Sequence, residues 1–358
     1  MESVSQEHGC GKMSASVVIT NPLEDAGWNN RLASSPGHSF FHTSNWARVL
    51  HESYDYQPVY AAIIENGTLL ALIPVMEVRS ILTGRRGVSL PFTDYCEPIC
   101  TDERHLRAAM DSLREYGKDA GWKYIEFRGN NYFGDDVPSF GYYYGHSMSV
   151  GKDAAHLSTD MRDSTRRNIK KAIKSGVQVE IATSMEAMTA FYRLHCMTRR
   201  MHGLPPQPFC FFRNIHDYII SENLGLIILA SYKEKYISGA VYFHFNDQAF
   251  YKYGASDRNS QELRASNLVM WEAITWYSER GYRTFCFGRT DADAAGLRQF
   301  KSGWGAEERI IKYYRYSPGK VRFLETSEPS RERGYGIFTK MPLPLLLLAG
   351  RVMYRHMG

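Results

Sequence analysis

Five ionisable side chains fall within thirteen residues: Arg289, Asp291, Asp293, Arg298 and Lys301. They occupy a stretch, 288–306, that reads as a glycine- and charge-rich loop after a short apolar strand, RTFCF at 283–287. Loops just past strand ends are where α/β proteins keep much of their chemistry. Lys301 lies between Phe300 and Ser302-Gly303, so its backbone can approach a ligand closely. The competing role is a surface lysine paired with Asp291 or Asp293. Arg289, in the run FGRT, can hold a carboxylate through two parallel hydrogen bonds, or lock its own loop through the same two aspartates. Tyr251 and Tyr253 alternate along a second strand, which predicts that both face one side. There they are packing aromatics or, for Tyr253, a hydroxyl able to hand on a proton. Asp94, in LPFTDY, stands in a loop of the first half, where an aspartate commonly caps a turn.

Regular elements must hold these residues. GAVYFHF (239–245) and QAFYKYGA (248–255) are aromatic and β-branched runs split by Asn246-Asp247, a hairpin signal. A helix follows over 266–279, with Leu268, Trp271, Ala273, Ile274 and Tyr277 at helical spacing and Gly281 past its end. In the first half, Asn66-Gly67 joins two apolar runs, 58–64 and 68–78, as a second hairpin. Thr43 or Ser44 caps a helix carrying Trp46. A helix over 102–119 precedes a strand over 121–128, and a last strand lies near 146–150. GWKYIEFR after Tyr116 parallels GYRTFCF after Tyr277. Each copy follows a helix and has a hairpin upstream, as a tandem duplication would leave it.

The chain has 358 residues, 44% hydrophobic and 13% aromatic, enough for two cored domains. A net charge of +5 does not by itself imply a nucleic-acid partner. Six scattered cysteines show no zinc-ligand spacing, so no metal is expected and free thiols in a reducing cytoplasm are. Between the halves, 164–175 reads as a basic helix capped by Ser164 and ended by Gly176, with Ile169 and Ile173 facing a core. Arg166, Lys170 and Lys174 line one flank, Arg167 and Lys171 another. This is a solvated face or a phosphate-binding one, for tRNA, a coenzyme or a lipid-linked pyrophosphate. Arg199, Arg200 and His202 suit the C-terminal end of a helix. Near the C-terminus, the apolar run 341–349 is far shorter than the roughly 20 residues a bilayer requires. It is an interfacial anchor with basic flanks or a short helix docked on the body.

GAVY, YKYGAS, FGRT and QFKSGWGA, in that order, resemble the C-terminal half of the FemABX-like family, and the likeness extends over about 41–316. Those transferases are built from two GNAT-type N-acyltransferase domains. The resemblance implies attack of an amine on an activated acyl group to give an amide. It places Lys301 beside the leaving phosphate or the developing oxyanion. It gives Asp94 the acceptor, or the acceptor's proton; Tyr253, from its place on the strand, completes the catalytic set as a proton relay. The accompanying substrate-binding set is Arg289, Tyr95, Tyr251, Trp46 and Asp291. The donor-phosphate set is Arg166, Arg167 and Lys170. Two departures leave the co-substrate open between aminoacyl-tRNA and acyl-CoA. No long charged helical hairpin is evident, and QELRAS (261–266) lacks the glycines of a coenzyme loop.

The expected architecture is α/β (α+β): two tandem GNAT-like domains, each a mixed, mostly antiparallel sheet flanked by helices. The boundaries are a flexible tail over 1–16, domains over 17–150 and 151–317, and a C-terminal tail over 318–358. The expected activity is acyl or aminoacyl transfer to an amine of a cell-envelope precursor, related to peptidoglycan or exopolysaccharide. It is placed in the cytoplasm, with peripheral contact at the inner membrane through the tail. The competing classes are an acyl-CoA N-acetyltransferase for an amino sugar or small amine, and a non-enzymatic RNA- or membrane-surface-binding protein.

Overall fold

The computed structural model describes residues 16–134, 136–151, 154–325 and 335–358; the expected tail over 1–16 lies, but for its last residue, outside them. The first half carries β1 (Val17–Thr20), β2 (Gln57–Pro58), β3 (Tyr60–Glu65), β4 (Thr68–Ile73), β5 (Met76–Ser80), β6 (Gly84–Val88), β7 (Ile99–Cys100), β8 (Ile125–Arg128) and β9 (Gly141–Ser149). Its helices are α1 (Trp28–Ala33), α2 (Ser44–Tyr54) and α3 (Glu103–Asp119). The second half begins with α4 (Ala154–Asp160), α5 (Asp163–Lys174), β10 (Gln178–Ala182), α6 (Met185–Met201) and α7 (Phe209–Ile215). It continues through β11 (Gly225–Tyr232), β12 (Lys235–Phe245), β13 (Gln248–Ser256), α8 (Ala265–Glu279), β14 (Thr284–Thr290), α9 (Ala295–Ser302), β15 (Glu307–Ser317) and β16 (Arg322–Leu324). Two helices close the chain, α10 (Gly336–Lys340) and α11 (Leu343–Met353).

Local signals set many of these ends. The Thr43 side chain accepts the N–H of Trp46 at the start of α2, and Asp102 accepts that of Arg104 at the start of α3. Asn66 and Asn246 take left-handed backbone in the two hairpin turns, which is the conformation those turns demand.

Among the described residues, twelve strands form one continuous sheet in the order β10-β11-β12-β13-β14-β9-β15-β8-β6-β5-β2, with β16 on β15. β1-β3-β4-β7 make a second, four-stranded sheet. The halves repeat one plan. β6 and β8 are parallel with α3 between them in the chain, and β13 and β14 are parallel with α8 between them. This is the tandem GNAT arrangement, with one feature the sequence did not announce. The last strand of each half crosses to the other: β9 pairs with β14, β15 pairs with β8, and the two pair with each other. The division near residue 150 is therefore a division of sequence. In space neither 17–150 nor 151–317 completes its own sheet, and the exchange covers two edges that would otherwise lie open.

Two further expectations are corrected. α5 starts at Asp163 with Arg162 in the cap position, and its buried stripe is Thr165, Ile169 and Ala172, whereas Ile173 stands exposed. Residues 295–302 are not loop but the helix α9, consistent with their Ala, Leu, Arg, Gln and Lys content.

α11 docks through Leu346, Gly350 and, just beyond it, Tyr354. A Cβ on Gly350 would lie 2.1 Å from the Pro206 carbonyl oxygen, so backbone meets backbone there. Gly350→Ala is expected to lever α11 off the body and to speed tryptic cleavage of the native protein after the exposed Lys340 and Arg351. Cleavage at the wild-type rate would show that the contact does not hold the helix.

Candidate active site

Two β-bulges build the site. The β12–β13 register slips between Val241 and Tyr242: Val241 partners Tyr253, Tyr242 partners Tyr251, and Lys252 is left as the extra residue. A bulge cancels the two-residue alternation of a strand. Tyr251 therefore packs with the α8 side of the sheet, its ring 5.7 Å from that of Tyr242. Tyr253 packs on the other side, against Phe211 and Phe212. The two tyrosines expected to share a face are split between faces. The second bulge lies in β14, where the register with β9 shifts between Cys286 and Arg289. Gly288 sits there at φ +70°, and a Cβ on it would lie 2.9 Å from the Asp94 carboxylate. Only a glycine lets that carboxylate come so close.

Asp94 enters from the loop between β6 and β7, and that loop is firmly held. Leu90 and Phe92 both take left-handed backbone. Arg128 donates to the carbonyls of Leu90 and Thr93 at 3.1 and 3.3 Å. Tyr313, from the exchanged strand β15, donates to the Asp94 carbonyl at 2.6 Å and accepts from Arg289 at 2.8 Å. With the loop so fixed, the Asp94 carboxylate accepts from the ammonium of Lys252 at 3.3 Å. Burial opposes ionisation of Asp94, but Lys252, Arg289 and Lys301 outweigh it and hold the carboxyl below its ordinary range. Burial presses the Lys252 ammonium below the ordinary lysine range while Asp94 pulls the other way. Phe41, Tyr253 and Trp46 back that ammonium at 5.2, 5.4 and 6.0 Å from their ring centres.

Lys301 does not line the cavity. It reaches from α9 behind the β14 bulge, donating to the carbonyls of Gly288 at 3.0 Å and Arg289 at 2.9 Å. Burial lowers its ammonium to about 8, against the pull of Asp94. Those two bonds tie α9 to the β14 bulge that carries Arg289 and brings Gly288 up to Asp94.

The Asp94–Lys252 pair opens on a cavity of about 590 Å³, lined from both halves and by the end of the chain. Arg86, Arg128, Arg199, Lys252 and Arg289 outnumber Asp94 and Asp291 on its walls. Arg128 is already matched by Glu126; the others give the cavity a positive bias. Tyr253 also lines it, and its buried hydroxyl has no hydrogen-bond partner. Burial raises that hydroxyl well above its ordinary value, so it stays protonated. A second cavity of about 320 Å³ lies between β12, β13, α6, α8 and α9, next to Gly239, Gly254, Tyr251 and Phe300; His202 lines it, and no Asp, Glu, Lys or Arg does among the described residues. Leu297 borders both cavities.

The remaining expected site residues are dispersed. Trp46 is fully buried among Phe40, Phe41, Phe211 and Phe243, behind the Lys252 ammonium, and lines none of these cavities. Tyr95 borders a separate cavity of about 310 Å³, under the guanidinium of Arg309. Arg166 donates to carbonyls at the end of α4, Ser158 at 2.7 Å and Met161 at 3.0 Å, and pairs with Asp163. Its guanidinium satisfies carbonyls at a helix end. Arg167 and Lys170 are exposed on α5 and line no cavity described here. Sequence reasoning passed over Lys252, although it stands in the YKYGAS run. A lysine inside an apolar strand needs a buried partner, and that was the available signal. No group of metal-ligating side chains occurs among the described residues.

Residues 159–302 match the acetyltransferase (GNAT) domain family. A lipid II:glycine glycyltransferase of Staphylococcus epidermidis is 32% identical over 76 residues, which are 20% of this chain and only 18% of that protein's length. Among solved structures, FemX superposes with a TM-score of 0.66 at 14% identity, over 83% of this chain and 96% of FemX. L-PGS from Bacillus licheniformis gives 0.54 at 14% identity, over 95% and 99% of the two chains. A tandem GNAT protein from the clavulanic acid biosynthesis pathway gives 0.54 at 9% identity, over 85% and 98%. At such identities the structural likeness speaks for the fold, and the domain match speaks for the second half. Taken with the repeated strand–helix–strand plan, they show a GNAT acetyltransferase domain over 159–302 and, for the chain as a whole, a tandem GNAT fold like that of FemX.

Proposed function

We propose that the protein transfers an acyl or aminoacyl group to an amine of a cell-envelope precursor, with the acceptor in the charged cavity and the acyl arm in the neutral one. The observation that carries this reading is a pair of cavities that both have Leu297 in their walls, one charged and lined by Asp94, Lys252 and Tyr253, the other without Asp, Glu, Lys or Arg. An anionic acceptor suits walls rich in arginine, whereas an uncharged acyl arm suits walls of small and aromatic residues. In the step itself, the acceptor nitrogen bonds to the acyl carbon and gives a proton to Asp94. Tyr253 donates a hydrogen bond to the oxyanion, a contact of a kind worth about 3 kcal/mol. The carbon–oxygen or carbon–sulfur bond of the donor then breaks. Lys252 protonates the departing oxygen or sulfur and recovers its proton from Asp94, so the pair ends as it began. Arg289 and Arg199 hold the acceptor's anionic portion, and Lys301 keeps the β14 bulge in place. The low-identity likeness to FemX and the short match to a lipid II:glycine glycyltransferase favour an aminoacyl donor and a lipid-linked acceptor.

The test is a transfer assay paired with thermal shift. Glycine-charged tRNA with a lipid-linked muropeptide is one substrate pair; acetyl-CoA with glucosamine is the other. Stabilisation by the charged tRNA and label transfer to the muropeptide amine are the expected results. Stabilisation and acetyl transfer with the second pair alone would reassign the donor and acceptor. Salt-sensitive tRNA binding with no transfer to either amine would remove the enzymatic reading.

A further inference from the structure

A surface outside both cavities remains unaccounted for. α11 buries one side, Leu346 and Gly350, and leaves Leu345, Leu348 and Val352 exposed on the other, each by 54% to 57%, with Leu343 exposed by 41% at its start. Ile337 of α10 and Met197 and Met201 of α6, the helix against which α10 packs, are exposed as well. From Tyr335 to the end of the chain the charged residues are Lys340, Arg351 and Arg355, with no acid among them. A second apolar feature sits at the turn between β5 and β6, where Ile81 is 96% and Leu82 74% exposed. The turn is ordered, for the Ser80 hydroxyl accepts the N–H groups of Leu82 at 3.2 Å and Thr83 at 3.0 Å. Arg79 and Arg85 flank it, both exposed.

These two features are joined. Arg86 donates to the Thr83 hydroxyl at the turn and, at 2.7 Å, to the His356 carbonyl just beyond α11. Arg86, Tyr354, Met357 and Gly358 also line the charged cavity. We propose that the Ile81–Leu82 turn and the outer face of α11 form one docking surface for an anionic lipid bilayer, which seats the mouth of the charged cavity at the membrane. Apolar side chains flanked by Arg79, Arg85, Lys340, Arg351 and Arg355, of which Arg79 is paired with the buried Glu77, fit the headgroup boundary of such a bilayer. A second copy of the chain fits poorly, because a two-fold contact through this surface sets Arg79, Arg85, Arg351 and Arg355 against their own likenesses. Spanning is not involved: no described helix is long and apolar enough to cross a membrane.

Co-sedimentation of the full chain with vesicles tests the surface without any turnover, so its outcome is independent of the acyl-transfer reading. The wild type is expected to bind phosphatidylglycerol vesicles, to release as salt rises, and to ignore vesicles of phosphatidylcholine alone. Ile81→Ser/Leu82→Ser and Leu345→Ser/Leu348→Ser are each expected to weaken binding at least about tenfold while leaving the melting temperature unchanged, since all four side chains are exposed. Binding that is equal for both lipids, or equal for wild type and both variants, overturns the proposal. So does a concentration-dependent dimer that the same substitutions abolish, which would assign the surface to self-association.

Discussion

Asp94→Asn is expected to lower turnover by roughly 10²–10⁴-fold, the range lost with a positioned proton acceptor. The asparagine still fits beside Gly288 but neither takes the acceptor's proton nor matches the ammonium of Lys252. The second loss is structural as well as chemical. Lys252 is 5% exposed in its side chain, and removing one partner of a buried pair costs about 3–5 kcal/mol because the other charge stays behind. Stability and catalysis can be separated with Lys252→Met. The double variant Asp94→Asn/Lys252→Met has no stranded charge, so its melting temperature should return toward wild type while turnover stays low. Turnover that recovers along with stability would mean that Asp94 serves only the fold. The check is a double-mutant cycle read in both melting temperature and single-turnover rate.

Glu126→Gln should produce the largest stability loss of any substitution away from the cavity. Glu126 is 3% exposed and accepts from both Nε and Nη2 of Arg128, at 2.9 and 2.7 Å, and from Nε and Nη2 of Arg315, at 2.8 and 2.7 Å. The glutamine leaves two guanidinium groups with one neutral partner, a loss of about 3–5 kcal/mol, or on the order of 10 °C in melting temperature. Arg128 also holds the carbonyls of the Asp94 loop, so turnover should fall with stability. The pH dependence has a definite sign. Burial opposes ionisation of Glu126, yet Arg128 and Arg315 bring its carboxyl down to about 2 from its ordinary 4.5. A lowered carboxyl contributes stability that is fully present above about 4.5 and is lost as pH falls toward 2, here about 3 kcal/mol. Glu126→Gln should therefore flatten the acid side of the stability profile. A melting curve measured from pH 7 down to pH 3 that falls equally in both proteins would contradict the assignment.

Much of the scaffold could be read from the chain because its signals are local. Asn66-Gly67 and Asn246-Asp247 ask for hairpins wherever they sit, since the turn is set by the backbone preferences of two adjacent residues. Thr43 and Asp102 cap their helices by reaching only two or three residues along. The parallel between GWKYIEFR and GYRTFCF pointed to the duplication, and the family resemblance rested on GAVY, YKYGAS, FGRT and QFKSGWGA. The site was less accessible. Asp94 and Tyr253 were singled out and do meet at one cavity, whereas Lys301 lies behind its wall, Trp46 is core, and the basic helix α5 stands apart.

By itself, then, the amino-acid sequence determined the hairpins, most of the helices and that one unit occurs twice, though it left 295–302 as loop. Tertiary structure alone decided which strand completes which half and where the two bulges fall. It also decided that Asp94 would meet Lys252, 158 residues away. The reason is physical. Turns and caps depend on a few neighbouring residues, whereas register, strand exchange and the pairing of buried charges depend on which distant surfaces fit together and exclude water.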